Sequence, residues 1–432
     1  MGDRDMPYGG PVIDADDTEA VLDVLKGGRI AEGPTSAAFE RALCQYTGAA
    51  YAVVCSSGTA ALHLACLAAG LGPGDNVITT PLTTPSTANA ALYVGASVTF
   101  ADVDPETGNI DPEKVEEAAR ADGGARAVIP VHYGGRPAEV ERIRGLARDL
   151  GLVVIEDARE ALGADRLDDG GLWTKVGSCA HSDMTVFSFH PTRVITSGEG
   201  GAVTTNDRGL YELLKAYRDH GVTREPAAFV NRRPAPWYYE MQRLGFNYRL
   251  SDIHAALGIS QMKRLDRFIE RRREIAALYD GLFGGYPLVS TPPESPRTRG
   301  AWLFYPVTID FDGLGVSRAG LFGRLGEAGV SLDVHHIPVH TQPYYAEGPG
   351  AGRPDLPSAE RFFASEVSLP IHPGLADTDV KAIADALTSE MTHTLAAVPG
   401  APAKVIDFPS VQPLKAARSE TKEETDDAKV GM

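Results

Sequence analysis

YAVVCSSGTAALHLACLAAG, residues 51–70, is the stretch that decides the fold. Its first five residues are apolar and valine-rich, as a buried strand requires, and TAALHLACLAAG after the small-residue turn reads as a helix. The same alternation continues outward. NVITT at 76–80, SVTFADV at 97–103, ARAVIPV at 125–131 and GLVVIED at 151–157 read as strands, with a helix from Val140 to Leu150 between the last two. Strands alternating with helices imply a parallel-rich, doubly wound α/β sheet covered on both faces. The pattern defines a large domain over 17–260, preceded by an N-terminal segment, 1–16. A long charged helix, SDIHAALGISQMKRLDRFIERRREIAALYDGLF (251–283), leads from it into a smaller α+β domain over 261–395. WLFYPVTI (302–309) is that domain's clearest strand and AGLFGRLGEAG (319–329) its clearest helix. RRREI at 271–275 reads as a solvated helix face. Residues 396–432 carry many charges and few core residues, which predicts a disordered tail or peripheral arm.

The net charge of −17 disfavours nucleic acid and anionic membrane as partners, since either needs a basic face. No run of eighteen apolar residues is present, and MGDRDMPYGG lacks the apolar core of a signal peptide. The four cysteines (Cys44, Cys55, Cys66, Cys179) have no metal-type spacing and read as thiols of a cytoplasmic protein. No metal site is expected.

Three local signals converge on a phosphorylated, pyridine-type cofactor. Ser56, Ser57, Gly58 and Thr59 lie between a strand and a helix, where free N–H groups and the positive dipole end suit a phosphate. An ordinary N-cap explains the same residues. Asp157 ends the strand VVIE, at the edge where open α/β sheets place ligands, and an ionised carboxylate there can hold a pyridinium nitrogen. A helix cap is the alternative reading. VFSFHPTRVITSGEGGAVTTND at 186–207 pairs two strands around a polar segment and a GEGG turn, and such glycines imply close backbone approach.

These signals, in this order, resemble the DegT/StrS family of sugar-nucleotide aminotransferases, nearest the branch that makes 4-amino sugars for nonulosonic acids. The resemblance runs from MPYGGPVIDADD to EVSLPIHPGLADTDV and is most specific at LGFNYRLSDIHAALGISQMKRLD (244–266) and HHIPVHTQPYY (335–345). It implies the aspartate-aminotransferase-like fold (fold type I) and pyridoxal or pyridoxamine 5'-phosphate as cofactor. Ser57, Gly58, Thr59 and Ser188 would take the phosphate and Asp157 the ring nitrogen. Asn247 and Arg249 would serve a neighbouring subunit in a homodimer. His335, His336, His340 and Tyr344 would line the substrate side, for a nucleotide-linked keto-sugar or related polyol.

The family pattern has lysine where this sequence has Arg193, in SFHPTR (188–193). A guanidinium stays protonated, so it can neither form the Schiff base nor shuttle protons. Thr84 stands in the position of a ring-stacking aromatic, Leu303 in that of a common histidine, and Glu160 in that of a histidine or glutamine. Glu160 would need a partner such as Arg159 or Arg193. His190 is close enough in sequence to act as a substitute base. Three functions are compatible with this pattern: a non-covalent pyridoxal- or pyridoxamine-phosphate enzyme, a cofactor-free enzyme on the same fold, and a non-catalytic subunit paired with a lysine-bearing paralogue.

Overall fold

Valine-rich Tyr51–Cys55 (β1) forms a strand whose last four residues are fully buried, at one edge of a seven-stranded sheet. The computed structural model describes residues 6–121, 125–168, 170–231, 235–286, 288–293, 295–347 and 354–397. The other strands of the sheet are Asn76–Thr79 (β2), Ser97–Phe100 (β3), Ala125–Ile129 (β4), Val153–Asp157 (β5), Met184–Ser188 (β6) and Gly201–Thr205 (β7). Their order is β1-β7-β6-β5-β4-β2-β3. The run from β3 to β6 is parallel, and β7 lies antiparallel between β6 and β1. The exception has a local cause. Residues 189–200 between β6 and β7 contain no helix, and a parallel return would need a crossover.

Because β1, β5 and β6 point the same way, their carboxyl ends bring Ser57, Asp157 and Ser188 to one edge of the sheet. Apolar clusters cover both faces: Leu62, Leu64, Ala91 and Leu214 on one, Phe39, Phe187, Phe189 and Phe268 on the other.

The expected single helix of 251–283 is two helices, Asp252–Met262 and Leu265–Phe283. At the break, Arg264 leaves helical geometry (φ −110°, ψ 0°), and its guanidinium is tied to Asp14 and Asp17. The second helix serves two cores. Leu265, Phe268 and Ile269 pack under the large sheet. Ile275, Ala276, Tyr279 and Phe283 pack against a second, antiparallel sheet: Val289–Ser290 (β8), Tyr305–Ile309 (β9) and Glu366–Leu369 (β10), in that order.

RRREI is not a solvated face. Arg272 is buried and donates to the carbonyls of Trp302, Leu303 and Ile371 at 2.9, 3.1 and 2.5 Å. The junction between the two cores leaves carbonyls without ladder partners, and a buried arginine satisfies them. The last helix, Asp377–Ala397, extends into the start of the expected tail, and 398–432 lie outside the described residues. No described helix is long and apolar enough to cross a membrane. All four cysteines are free thiols.

Candidate active site

Ser57 caps the helix Gly58–Ala68, its Oγ accepting from the Ala60 N–H at 3.1 Å. The first N–H groups of a helix have no intrahelical partner, and the dipole at that end favours an anion. Gly58 lies directly against Ser188. A Cβ on Gly58 would stand 2.7 Å from Ser188 Cβ and 2.9 Å from Arg159 Cδ. Gly201 is as confined, since a Cβ there would stand 2.3 Å from the Ser57 carbonyl oxygen. The small residues of SSGT and GEGG therefore permit close approach within the chain, whatever else they admit.

Asp157 is engaged on both oxygens. Arg159 Nε donates to Oδ1 at 2.7 Å, and Arg159 Nη2 to Oδ2 at 2.8 Å. Thr87 Oγ1 also donates to Oδ2, at 2.8 Å. The rest of the guanidinium is bound as well, Nη1 to Ser86 Oγ at 2.6 Å and Nη2 to Thr84 Oγ1 at 2.9 Å and Thr87 Oγ1 at 2.8 Å. Side-chain exposure is 7% for Arg159 and 1% for Asp157. Thr84, read as the stacking position, is thus an acceptor for Arg159. Sequence reasoning offered Arg159 only as a partner for Glu160, and missed Ser86 and Thr87. The available signal was an arginine two residues beyond a strand-end aspartate.

Glu160 pairs elsewhere. Its Oε1 lies 3.4 Å from Arg193 Nη1 and 3.2 Å from His336 Nε2, and Oε2 accepts from the Gly134 N–H at 3.0 Å. Burial pushes this carboxyl up, but the hydrogen bond to His336 and the Arg193 guanidinium outweigh it and hold it at about 2. Arg193 Nε is buried without a partner among the described residues. His335 stacks on Phe304 at 4.0 Å and bonds Ser368 Oγ through Nδ1 at 2.8 Å. Burial, with His336 beside it, drives its ring down to about 3. Among the described residues no lysine pairs with Asp157, Glu160 or Ser188.

The remaining expected residues lie apart. His190 is exposed, with Nδ1 on Thr192 Oγ1 at 3.0 Å, and only its backbone carbonyl meets Arg193. The polar Thr192 draws the ring outward, so a substitute base at His190 is not supported. Asn247 is exposed, while Arg249 is ion-paired to Asp219. His340 is buried against Glu360 at 3.1 Å, and Tyr344 is 64% exposed. Neither touches the Glu160 cluster; one is held by its hydrogen bond to Glu360 and the other stands in solvent. Leu303 packs beside the Phe39 and Phe189 cluster.

A parallel-rich sheet with one antiparallel strand, a smaller antiparallel unit and ligand-type residues at the strand ends define the aspartate-aminotransferase-like fold, fold type I. Residues 11–388 match the model of the DegT/DnrJ/EryC1/StrS aminotransferase family, and the chain belongs to that family. It is 38% identical over 385 residues to the spore coat polysaccharide biosynthesis protein SpsC of Bacillus subtilis, covering 88% of this chain and 96% of SpsC. It is 37% identical to a UDP-4-amino-4,6-dideoxy-N-acetyl-beta-L-altrosamine transaminase of Campylobacter jejuni, over 87% of this chain and 95% of that one. Helicobacter pylori PseC, an aminotransferase of pseudoaminic acid biosynthesis, superposes with a TM-score of 0.81 at 30% identity, over 90% of this chain and all of PseC. The putative sugar aminotransferase Spr1654 of Streptococcus pneumoniae, solved in PLP and PMP forms, has a TM-score of 0.81 at 25% identity, over 91% of this chain and 100% and 99% of those chains.

The family's cofactor meets a divided seat here. The helix start at Gly58 and Thr59, with Ser57 and Ser188, suits its phosphate. Its ring does not fit at Asp157 as the side chains stand, because both carboxylate oxygens already accept from Arg159.

Proposed function

We propose that this chain takes a nucleotide-linked sugar in its cleft and does not carry out lysine-dependent transamination. The observation that carries the reading is the Arg193–Glu160–His336 array. It puts a guanidinium with a buried, unpartnered Nε where the family resemblance calls for a lysine. A permanently protonated group cannot carry a Schiff base. It suits instead a charge-assisted bond to a phosphate, a carboxylate or a developing oxyanion. Glu160, ionised and fixed by the Gly134 N–H, keeps Arg193 oriented. The sugar-nucleotide class comes from the relatives, among them a transaminase named for a UDP-amino sugar.

Pyridoxal or pyridoxamine phosphate, if admitted, would be held non-covalently, by Ser57, Gly58, Thr59 and Ser188 at its phosphate. The pyridoxamine form brings its own amine, which is what a chain without the lysine would require. We further propose a cytoplasmic homodimer. Val230, Trp237 and Leu244 are 79%, 79% and 77% exposed in the segment just before Asn247, and such apolar side chains mark a partner surface. The exposure of Asn247 also favours a second reading, in which the segment completes the site of a lysine-bearing paralogue.

Titration calorimetry with a UDP-N-acetylhexosamine should give saturable binding that Arg193→Ala weakens. Borohydride reduction in the presence of pyridoxal phosphate should leave no labelled lysine peptide. A labelled lysine together with amine transfer from glutamate would sink the proposal.

A further inference from the structure

We infer that Arg159 is a built-in occupant of the ring seat at Asp157, so that a pyridoxal-type ligand reaches that carboxylate only by displacing it. The inference rests on the proposed assignment of the Ser57–Ser188 edge as the cofactor seat and deepens it. Four observations carry it. Arg159 takes both oxygens of Asp157, at 2.7 and 2.8 Å. Nη1 is held by Ser86 Oγ at 2.6 Å, and Nη2 also reaches Thr84 Oγ1 and Thr87 Oγ1 at 2.9 and 2.8 Å, so the guanidinium is bound at every nitrogen. Its stem runs across Gly58, where a Cβ would stand 2.9 Å from Cδ, so the glycine makes room for the arginine. Thr84, small and polar, gives Arg159 an acceptor where a ring-stacking side chain would leave none.

A guanidinium is a planar cation, as a pyridinium is. It meets a carboxylate with two parallel donors where the ring nitrogen has one, so it competes well for the same acceptor. The contrast with Arg193 is informative. Arg193 has a single 3.4 Å contact and an unpartnered Nε, whereas Arg159 is fully engaged. Restoring a lysine at 193 would therefore not restore the seat, because the obstruction lies at 159.

The test compares two ligands on the full chain. Glycerol phosphate carries the phosphate alone, and pyridoxamine phosphate adds the ring. In the unaltered protein the two should bind with similar affinity by calorimetry. In Arg159→Ala, pyridoxamine phosphate should gain about tenfold or more while glycerol phosphate is unchanged. Arg193→Lys alone should show no internal Schiff-base absorbance with pyridoxal phosphate, and Arg159→Ala/Arg193→Lys should show it. Tight, ring-dependent binding by the unaltered protein overturns the inference, and that comparison stands even if Arg159→Ala fails to fold. So does a folded Arg159→Ala protein with no gain, or a Schiff-base band in Arg193→Lys alone. None of these outcomes bears on whether the UDP-sugar binds.

Discussion

Arg159 grips Asp157 with two prongs, Nε to Oδ1 and Nη2 to Oδ2, at the buried end of β5. Burial opposes the charge on Arg159, but Asp157 outweighs it and raises the guanidinium above its ordinary value. Removing one member of such a pair strands the other charge away from water. Asp157→Ala is therefore expected to cost about 3–5 kcal/mol in chemical denaturation. Replacing both by apolar residues, as in Asp157→Leu/Arg159→Met, should recover most of that loss. A cost below about 1 kcal/mol for the single variant would mean that the pair is solvated and the seat open.

The contact between Gly58 and Ser188 predicts a steric effect independent of charge. A methyl group at Gly58 would lie 2.7 Å from Ser188 Cβ, which is fixed to β6. Overpacking of this kind costs about 1–3 kcal/mol, so Gly58→Ala should lower the melting temperature by several degrees. Gly201→Ala should cost more, because its Cβ would meet the Ser57 carbonyl oxygen at 2.3 Å, and backbone yields less readily than a side chain. An unchanged melting temperature in both variants would show that the chain after β1 can move away from both Ser188 on β6 and Gly201 on β7.

Glu366, at the start of β10, predicts a pH dependence of stability. Burial pushes its carboxyl up to about 8, against the lowering effect of Ser368 and the His335 N–H. The sign follows from linkage. A raised folded value means that the folded state binds a proton the unfolded state has already released, so stability is present at low pH and lost between about 4.5 and 8. Glu366→Gln imitates the protonated form. Its stability relative to the unaltered protein should improve by a few kcal/mol (order of magnitude) across that window. Urea denaturation of both proteins at pH 5 and pH 8 measures the difference, and parallel curves would refute it.

The β-layer was legible because its signals are local. The 51–55 strand and the 140–150 helix have the observed bounds, for runs of valine and a 3.6-residue period leave little choice. The break at Lys263–Arg264 was not legible, since no glycine or proline marks it and its anchor, Asp14 and Asp17, lies about 250 residues away along the chain. Arg272 misled for the same reason: a run of arginines looks solvated until the carbonyls it satisfies come from elsewhere in the fold. At the site, Glu160 could be seen to need a cation, yet two arginines stood near it in sequence. Only the geometry gives Arg193 to Glu160 and Arg159 to Asp157.

That division makes the two members of the second pair unequal. Glu160 has three partners: the Gly134 N–H, His336 and Arg193. Arg193 has Glu160 alone, at 3.4 Å, and a buried Nε without a bond. Losing Glu160 therefore leaves three donors unsatisfied, while losing Arg193 leaves Glu160 two partners. Glu160→Ala should destabilise by about 1–3 kcal/mol more than Arg193→Ala in parallel denaturation. Ligand binding should divide the other way, because Arg193 has donor capacity to spare and Glu160 has none. Arg193→Ala should weaken UDP-sugar binding about tenfold with little loss of stability. Equal destabilisation by both variants, with binding untouched, would make Arg193 a structural counter-ion and remove it from the site.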